Sequence, residues 1–187
     1  MARAQKKAQS EGRTIALSDE SGFMLQPVAT RTWAPRGQTP ELLCTHAHDR
    51  ISAISAITLS PVAQTSRLYF ALLRDNYDAN TIEAFVRGVQ RQLRRPVTFV
   101  WDRLAAHRTV AERLAGDSRF EFAFLPAYSP ELNPAELGWR HAKHHSLAGS
   151  CPADMDQLEH GVRDALSSVA RKSELLHGFF RGSGLSL

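Results

Sequence analysis

The stretch Leu125-Pro126-Ala127-Tyr128-Ser129-Pro130-Glu131-Leu132-Asn133-Pro134-Ala135-Glu136-Leu137-Gly138-Trp139 follows an apolar run and turns into a helix through its prolines. Pro130 and Pro134 each stand just after a capping residue, Ser129 and Asn133, where proline's fixed φ and missing N–H cost least. Two short helical starts are therefore predicted. With Asn133 as N-cap, Glu136 is the third helical residue, and its carboxylate can reach back to the cap's own N–H in a capping box. Glu136 has a second reading, because two acids upstream also close apolar runs.

Outward from this stretch, Phe120-Glu121-Phe122-Ala123-Phe124 alternates as a strand. Val97-Thr98-Phe99-Val100-Trp101 is a compact apolar strand that Asp102 closes, and residues 110–115 make a short helix stopped by Gly116. Asn80-Thr81-Ile82-Glu83 reads as a capping box, followed by Ile82, Phe85, Val86, Val89 and Leu93 at helical spacing up to Pro96. Strand, helix and strand make a βαβ unit with a right-handed crossover and parallel strands. Residues 14–23 are a short strand, with Asp19 at its end. Residues 24–26 and 31–33 suggest a second, irregular strand, and residues 34–40 a loop. Residues 51–59 and 67–73, joined by a turn at 60–66, complete an antiparallel meander. Beyond Glu136 the helix is expected to run to about Leu147 and stop at Gly149. A last helix starts near Pro152 with Leu158, Val162, Ala165, Leu166 and Val169 on one face, and Phe179 and Phe180 in the tail pack on the domain. Residues 1–13 read as a basic lead-in or linker containing a short helix, and residues 14–187 as one α/β domain, a mixed sheet with helices on its faces.

The composition agrees with this. A chain of 187 residues that is 43% hydrophobic buries one core. No apolar run approaches the roughly 18 residues of a membrane span. Residues 1–12 have no apolar signal region, so a cytoplasmic protein is expected. Cys44 and Cys151 stand far apart, which fits reduced thiols and offers no zinc spacing. A net charge of +4 and a pI near 9.4 permit nucleic-acid binding without requiring it.

In open α/β sheets, ligands collect at the carboxyl ends of parallel strands. Asp19 and Asp102 are expected there, with Glu136 on a helix packed nearby. Three carboxylates without an obvious cationic partner repel one another unless a cation binds them. Magnesium takes oxygen ligands of this kind together with substrate phosphate. Two such ions about 3.5 to 4 Å apart activate a water or hydroxyl on one side of a phosphodiester and stabilise the leaving oxygen on the other.

Four motifs carry a resemblance to a known family: Leu17-Ser18-Asp19-Glu20-Ser21-Gly22-Phe23, Arg31-Thr32-Trp33-Ala34-Pro35-Arg36-Gly37-Gln38, Val100-Trp101-Asp102-Arg103-Leu104-Ala105-Ala106-His107, and the stretch from Leu125 to Trp139. In order and spacing, with Asp102 and Glu136 standing 34 positions apart, they resemble the catalytic domain of DDE-superfamily transposases, of the mariner-like class encoded by bacterial insertion sequences. The resemblance covers roughly residues 14–143. It implies an RNase H-like mixed five-stranded sheet with helices on both faces. It further implies Asp19, Asp102 and Glu136 as a triad for two Mg2+ ions, with Mn2+ as a substitute. The implied reaction is cleavage at transposon ends followed by joining of the freed 3′ hydroxyls to target DNA. The implied partners are transposon-end and target DNA in a homodimer or larger assembly on the nucleoid. Two departures, Ala127 and Arg103, stand apart from the triad. Relatives carry helix-turn-helix units ahead of this domain, whereas about a dozen residues precede Thr14 here. The expectation is one half of a split or frameshifted transposase with a separate helix-turn-helix polypeptide, or a remnant or an isolated domain. A non-catalytic DNA-binding or assembly module and another RNase H-like metal-dependent nuclease are the alternatives.

The remaining candidates have paired readings. Glu20 points to the other side of the strand from Asp19 and is either a surface or hinge acid or a fourth ligand, the former being favoured. His107 is either a phosphate- or water-orienting group or a satisfied surface histidine. His46, His48 and Asp49 read as solvated loop residues. Arg140, Lys143 and His144 share the face of Glu136, so Arg140 is either its ion-pair partner or, with Lys143, a DNA-backbone contact. Trp33 and Arg36 either hold unpaired nucleotides or, for Trp33, fill the core.

Overall fold

The computed structural model describes residues 2–27, 33–38, 49–60, 65–127 and 129–184. β1 (Thr14–Met24), β2 (Arg50–Leu59) and β3 (Ser66–Leu73) form the antiparallel meander. β4 (Val97–Trp101) and β5 (Phe120–Phe124) extend the sheet from β1 in parallel, giving the order β3-β2-β1-β4-β5. The alternation of β1 and β2 separates two cores. On one face Ala16, Ile54, Phe99 and Trp101 pack against Ile82, Val86 and Val89 of α2 (Ala79–Leu93) and Val110 and Leu114 of α3 (Ala105–Leu114). On the other, Leu17, Ile57 and Val100 meet the Phe179–Phe180 pair of α6 (Ser173–Gly182), while Phe23 and Ile51 meet Trp139 of α4 (Pro134–His141) and Leu158 and Val162 of α5 (Met155–Ala170). This is the expected mixed five-stranded sheet with helices on both faces.

Several details differ from the sequence reading. The cap of α2 is Asp78 rather than Asn80. Asp78 Oδ1 accepts from the Thr81 N–H at 2.8 Å and Thr81 Oγ1 accepts from the Asp78 N–H at 2.8 Å, so the reciprocal box uses a threonine. α3 begins at Ala105, five residues before the expected start, because no proline or glycine interrupts Ala105-Ala106-His107. Residues 1–13 are not a free linker. α1 (Ala2–Ser10) buries Ala8 in the core beside Ile15 and Val100, Lys7 pairs with Glu121, and the Arg13 guanidinium donates to Val97 O at 3.2 Å and Ser118 O at 3.1 Å. The irregular strand at 24–26 and 31–33 is not formed among the described residues: Met24 ends β1, residues 25–26 bend, and Trp33 lies outside any strand. Arg31 and Thr32, like His46 and His48, lie outside the described residues. Cys151 is disulfide-bonded, which corrects the expectation of reduced thiols; distance along the chain does not bar approach in the fold. No helix is long and apolar enough to cross a membrane.

The feature that shapes the site is a mismatch in strand length. Pairing of β1 with β4 ends at Leu17↔Val100, whereas pairing with β2 continues to Met24↔Arg50. Asp19 is therefore mid-strand rather than at a strand end, two residues past the last β4-paired position. The polar run Ser18-Asp19-Glu20-Ser21 looks like a terminus in sequence, but β2 holds it in register.

Candidate active site

Where β1 outruns β4, one edge of β1 is open, and alternation sends Asp19 and Glu20 to opposite faces. Asp19 points towards α4, where Trp139 Nε1 donates to Asp19 Oδ2 at 3.3 Å. The Asp19 carboxyl is raised to about 7, first by burial, then by repulsion from Glu136, Glu20 and Asp102, against one opposing backbone hydrogen bond from Glu20. That influence identifies the acids as neighbours and Asp19 as the strained member of the group.

Glu136 reaches the site through α4. Asn133 caps the helix, its Oδ1 accepting from the Ala135 N–H at 3.1 Å, and its Nδ2 donates to Ser18 O at 3.3 Å, which pins the helix start to β1. No capping box closes here. The exposed Glu136 carboxylate does not reach back to the cap, so the structural reading of this residue is not realised. Nor does the Glu136–Arg140 ion pair form: Arg140 is exposed and, among the described residues, has no acidic partner.

Asp102 follows the last residue of β4. Its Oδ1 accepts from the Leu104 N–H at 3.0 Å and from His107 Nδ1 at 2.6 Å, leaving Oδ2 without a hydrogen bond among the described residues. His107 sits in the first turn of α3, is fully buried, and stacks on Trp101 with ring centroids 4.4 Å apart and planes 6° from parallel. Its Nε2 lies 2.9 Å from Glu20 Oε1. Burial alone would lower the His107 pKa, but the hydrogen bonds and charges of Glu20 and then Asp102 outweigh it and hold the imidazole above its ordinary value. With a carboxylate at each nitrogen, both must donate, so the ring is an imidazolium between two acids. This corrects both expectations for the residue. His107 is neither exposed nor open to a phosphate, because α3 buries it under Trp101. Glu20 is likewise a half-buried partner of His107 rather than a free surface acid, and its Oε2 is buried without a partner.

One cation lies against the acids. After α4 the chain widens into a π-helical turn, Ala142–Ser146, closed by Leu147 N–H to Ala142 O at 2.9 Å, and Gly149 at φ 68° turns the chain away from it. Lys143 in this turn donates from Nζ to Ser21 Oγ at 2.8 Å and stands 5.2 Å from the Phe23 ring centroid. Burial lowers its pKa, while Glu136 and Asp19 pull the other way. Lys143, expected on the face of Glu136 as a DNA-backbone contact, thus supplies the cation that the three acids were expected to lack, whereas neither Trp139 nor the Glu20–His107 link was foreseen. Two sequence signals bear on that link: the opposed faces of Asp19 and Glu20, and the spacing of His107 five residues past Asp102. Trp33 and Arg36 are exposed, Trp33 completely, so the core reading of Trp33 fails.

Among the described residues, no group of three or more His, Cys, Asp or Glu side chains is arranged so that it could hold a metal ion. The donor set nevertheless suits a hard divalent cation. Its atoms are carboxylate oxygens, Asp102 has an uncommitted oxygen, Glu136 is exposed, and Asp19 carries an unfavourable charge that a cation would relieve.

The strand order, with acids on β1, after β4 and at the start of a helix pinned to β1, defines an RNase H-like fold. The sequence profile of the DDE superfamily endonucleases matches residues 14–159, and the chain belongs to that family. A sequence search of curated proteins found no match. Among solved structures, the fold is similar to the Mos1 transposase paired-end complex with left transposon end, with a TM-score of 0.66 at 19% identity over 98% of this chain and 54% of that one. It is also similar to the Mos1 strand transfer complex, with 0.64 at 19% over 97% and 53%, and to the Mos1 mariner paired end complex with Mn, with 0.63 at 18% over 97% and 56%. The chain spans about half the length of these proteins.

Proposed function

We propose that this chain is the catalytic domain of a DNA transposase, which cuts phosphodiester bonds at transposon ends and joins the 3′ hydroxyls to target DNA. The observation that carries the reading is the grouping of three acids where β1 outruns β4: Asp102 directly after β4, Glu136 at the start of α4, whose cap is pinned to Ser18 O, and Asp19 on β1, half-buried against Trp139. An acid in that position suits a cation-dependent site better than a purely structural one. Asp19, Asp102 and Glu136 would hold two Mg2+ ions, with Mn2+ able to substitute. The chemistry that ions held there would supply is activation of the attacking water or hydroxyl and stabilisation of the leaving oxygen.

The other side chains have separable tasks. His107, anchored by Glu20, fixes Oδ1 of Asp102 and so aims the second oxygen; it is a positioning residue. Lys143 offsets part of the negative charge and is close enough to meet a phosphate. Arg140 is exposed on α4 and suits the DNA backbone, and Trp33 with Arg36 suits unpaired nucleotides beside the cut. The partners in this reading are transposon-end and target DNA and a second copy of the chain or a larger assembly. The compartment is the bacterial cytoplasm, on the nucleoid.

The test is DNA cleavage and strand joining in Mg2+ and Mn2+ by the wild type and by Asp102→Asn. The amide keeps the shape and removes the charge. Loss of a ligand that supplies ~4 kcal/mol of transition-state stabilisation slows the reaction on the order of 10³-fold. Cleavage at the wild-type rate by the variant overturns the triad, and cleavage without joining points to a nuclease instead.

A further inference from the structure

A basic trough lies away from the carboxylates, and the active site does not use it. Its larger part, about 730 Å³, runs between β3 and the second half of α2 and is lined by Arg67, Arg91 and Arg94. A smaller part, about 200 Å³, shares Arg67 and Gln92 with it and adds Arg95. Among the described residues, no acidic side chain lines either part. The four guanidiniums are exposed and, among the described residues, have no ion-pair or hydrogen-bond partner. Arg87, one turn earlier on α2, is by contrast committed to Glu83, as is Arg113 of the neighbouring α3 to Glu83 and Asn80. Tyr69 lines the trough as well, and its hydroxyl is buried without a partner.

The attraction of a helix C-terminus for cations accounts for Arg91 in the last turn of α2, but not for Arg67, which comes from β3. Arg94 departs furthest from what stability alone would select. It ends α2 in the left-handed conformation, φ 54°, a position that favours glycine or asparagine. A long cationic side chain there is kept against the backbone preference, which is the pattern of a residue held for binding.

The trough is distinct from the reacting centre. Arg67 pairs with Thr58, which pairs with Ala16, three residues before Asp19 on β1. Three residues along a strand and two strands across make a separation on the order of 14 Å. The α2 side of the sheet is also the face opposite to Asp19. The geometry points to a second DNA contact: the trough binds the phosphate backbone of duplex DNA through Arg67, Arg91, Arg94 and Arg95, away from the bond being cut. This inference rests on the proposed function only for the choice of DNA as the polyanion.

The test is binding of a duplex of arbitrary sequence to the whole chain in EDTA, followed by fluorescence anisotropy from 50 to 200 mM salt. Each phosphate neutralised adds about 0.9 to the slope of log K against log salt. Arg67→Gln, Arg91→Gln and Arg95→Gln combined should reduce that slope by about 2 to 3 and weaken binding at least tenfold at low salt. Arg94→Gly separates binding from folding. It should raise the Tm by about 2 °C, since glycine suits the left-handed position, while weakening DNA binding several-fold. A wild-type slope in the triple variant overturns the trough, as does an Arg94→Gly protein that melts higher and binds as well as the wild type. Loss of slope on RNA of equal length but not on duplex DNA overturns DNA as the occupant. Slope loss on duplex DNA supports the trough whether or not the wild type cleaves in Mg2+, and failure to cleave counts against the catalytic reading alone.

Discussion

Nδ1 of His107 lies 2.6 Å from Oδ1 of Asp102, and the opposite nitrogen of the same buried ring lies 2.9 Å from Glu20. A carboxylate that follows a strand would otherwise rotate freely. Here one oxygen is fixed by the imidazole and by the Leu104 N–H, and the imidazole is fixed by Glu20 and the face of Trp101. Partners behind a metal ligand typically contribute 10- to 100-fold in metal affinity or activity. His107→Ala should therefore weaken Mn2+ binding, followed by calorimetry, by about 10- to 100-fold. His107→Asn, whose shorter amide can meet Asp102 without spanning to Glu20, should lose less. Equal Mn2+ affinity in the wild type and His107→Ala would show that the ring only fills space.

Glu136 separates structure from chemistry. Its carboxylate is exposed and forms no capping box, since Asn133 alone caps α4. Glu136→Gln should shift unfolding stability by less than about 1 kcal/mol, as expected of an exposed site without a buried partner. Cleavage should fall on the order of 10³-fold if the residue completes a metal site. A collapse in Tm with cleavage retained per folded molecule would reverse the assignment.

The raised pKa of Asp19 sets a pH dependence with a definite sign. The group titrates at about 7 in the folded chain against 3.8 as an ordinary aspartate, so between these values the folded state holds the extra proton. Stability of the metal-free protein from this group is therefore greatest below about pH 4 and declines as pH rises to about 7. The full effect is on the order of 4 kcal/mol. In EDTA, Asp19→Asn should melt above the wild type at pH 8, and the difference should shrink as the pH falls through this window. Mg2+ or Mn2+ should raise the wild-type Tm at pH 8 and leave that of Asp19→Asn nearly unchanged. A constant difference from pH 4 to pH 8 would rule out the buried, repelled carboxylate.

Local pattern revealed the strands and most helices. Val97–Trp101 and Phe120–Phe124 fall where the apolar runs put them, and Leu158, Val162, Ala165, Leu166 and Val169 are all buried on one face of α5. Asp102 after β4 and Glu136 in the first turn of α4 were legible for the same reason, since each is next to an element boundary. What local pattern could not supply was contact across the chain. Asp19 looked terminal because the partner that prolongs β1 is β2, more than thirty residues away. The Glu20–His107 bond spans 87 positions, and the Lys143–Ser21 bond 122. The helical spacing used for Lys143 also assumed a regular helix, and the π-helical turn changes the phase. The short helix in residues 1–13 was legible but its docking was not, because among the α1 residues whose burial is described only Ala8 is buried.

Trp33 yields the last prediction. Its ring is fully exposed and it lies outside any strand, so it contributes no core packing. An indole in water gains most by stacking on an unpaired base, which contributes about 1–3 kcal/mol per base. Trp33→Ala should thus leave unfolding stability within about 0.5 kcal/mol of the wild type. Affinity for DNA with a few unpaired nucleotides at its end should fall by about 5- to 150-fold, while affinity for a blunt duplex should hardly change. The pair of substrates matters, because phosphate contacts through Arg36 or Arg140 would weaken both alike. Trp33→Ala binding measured on the two DNAs at one salt concentration gives the ratio directly. A ratio unchanged from the wild type would remove Trp33 from the nucleotide site, and a fall in Tm would mean that the ring packs against residues of its own loop.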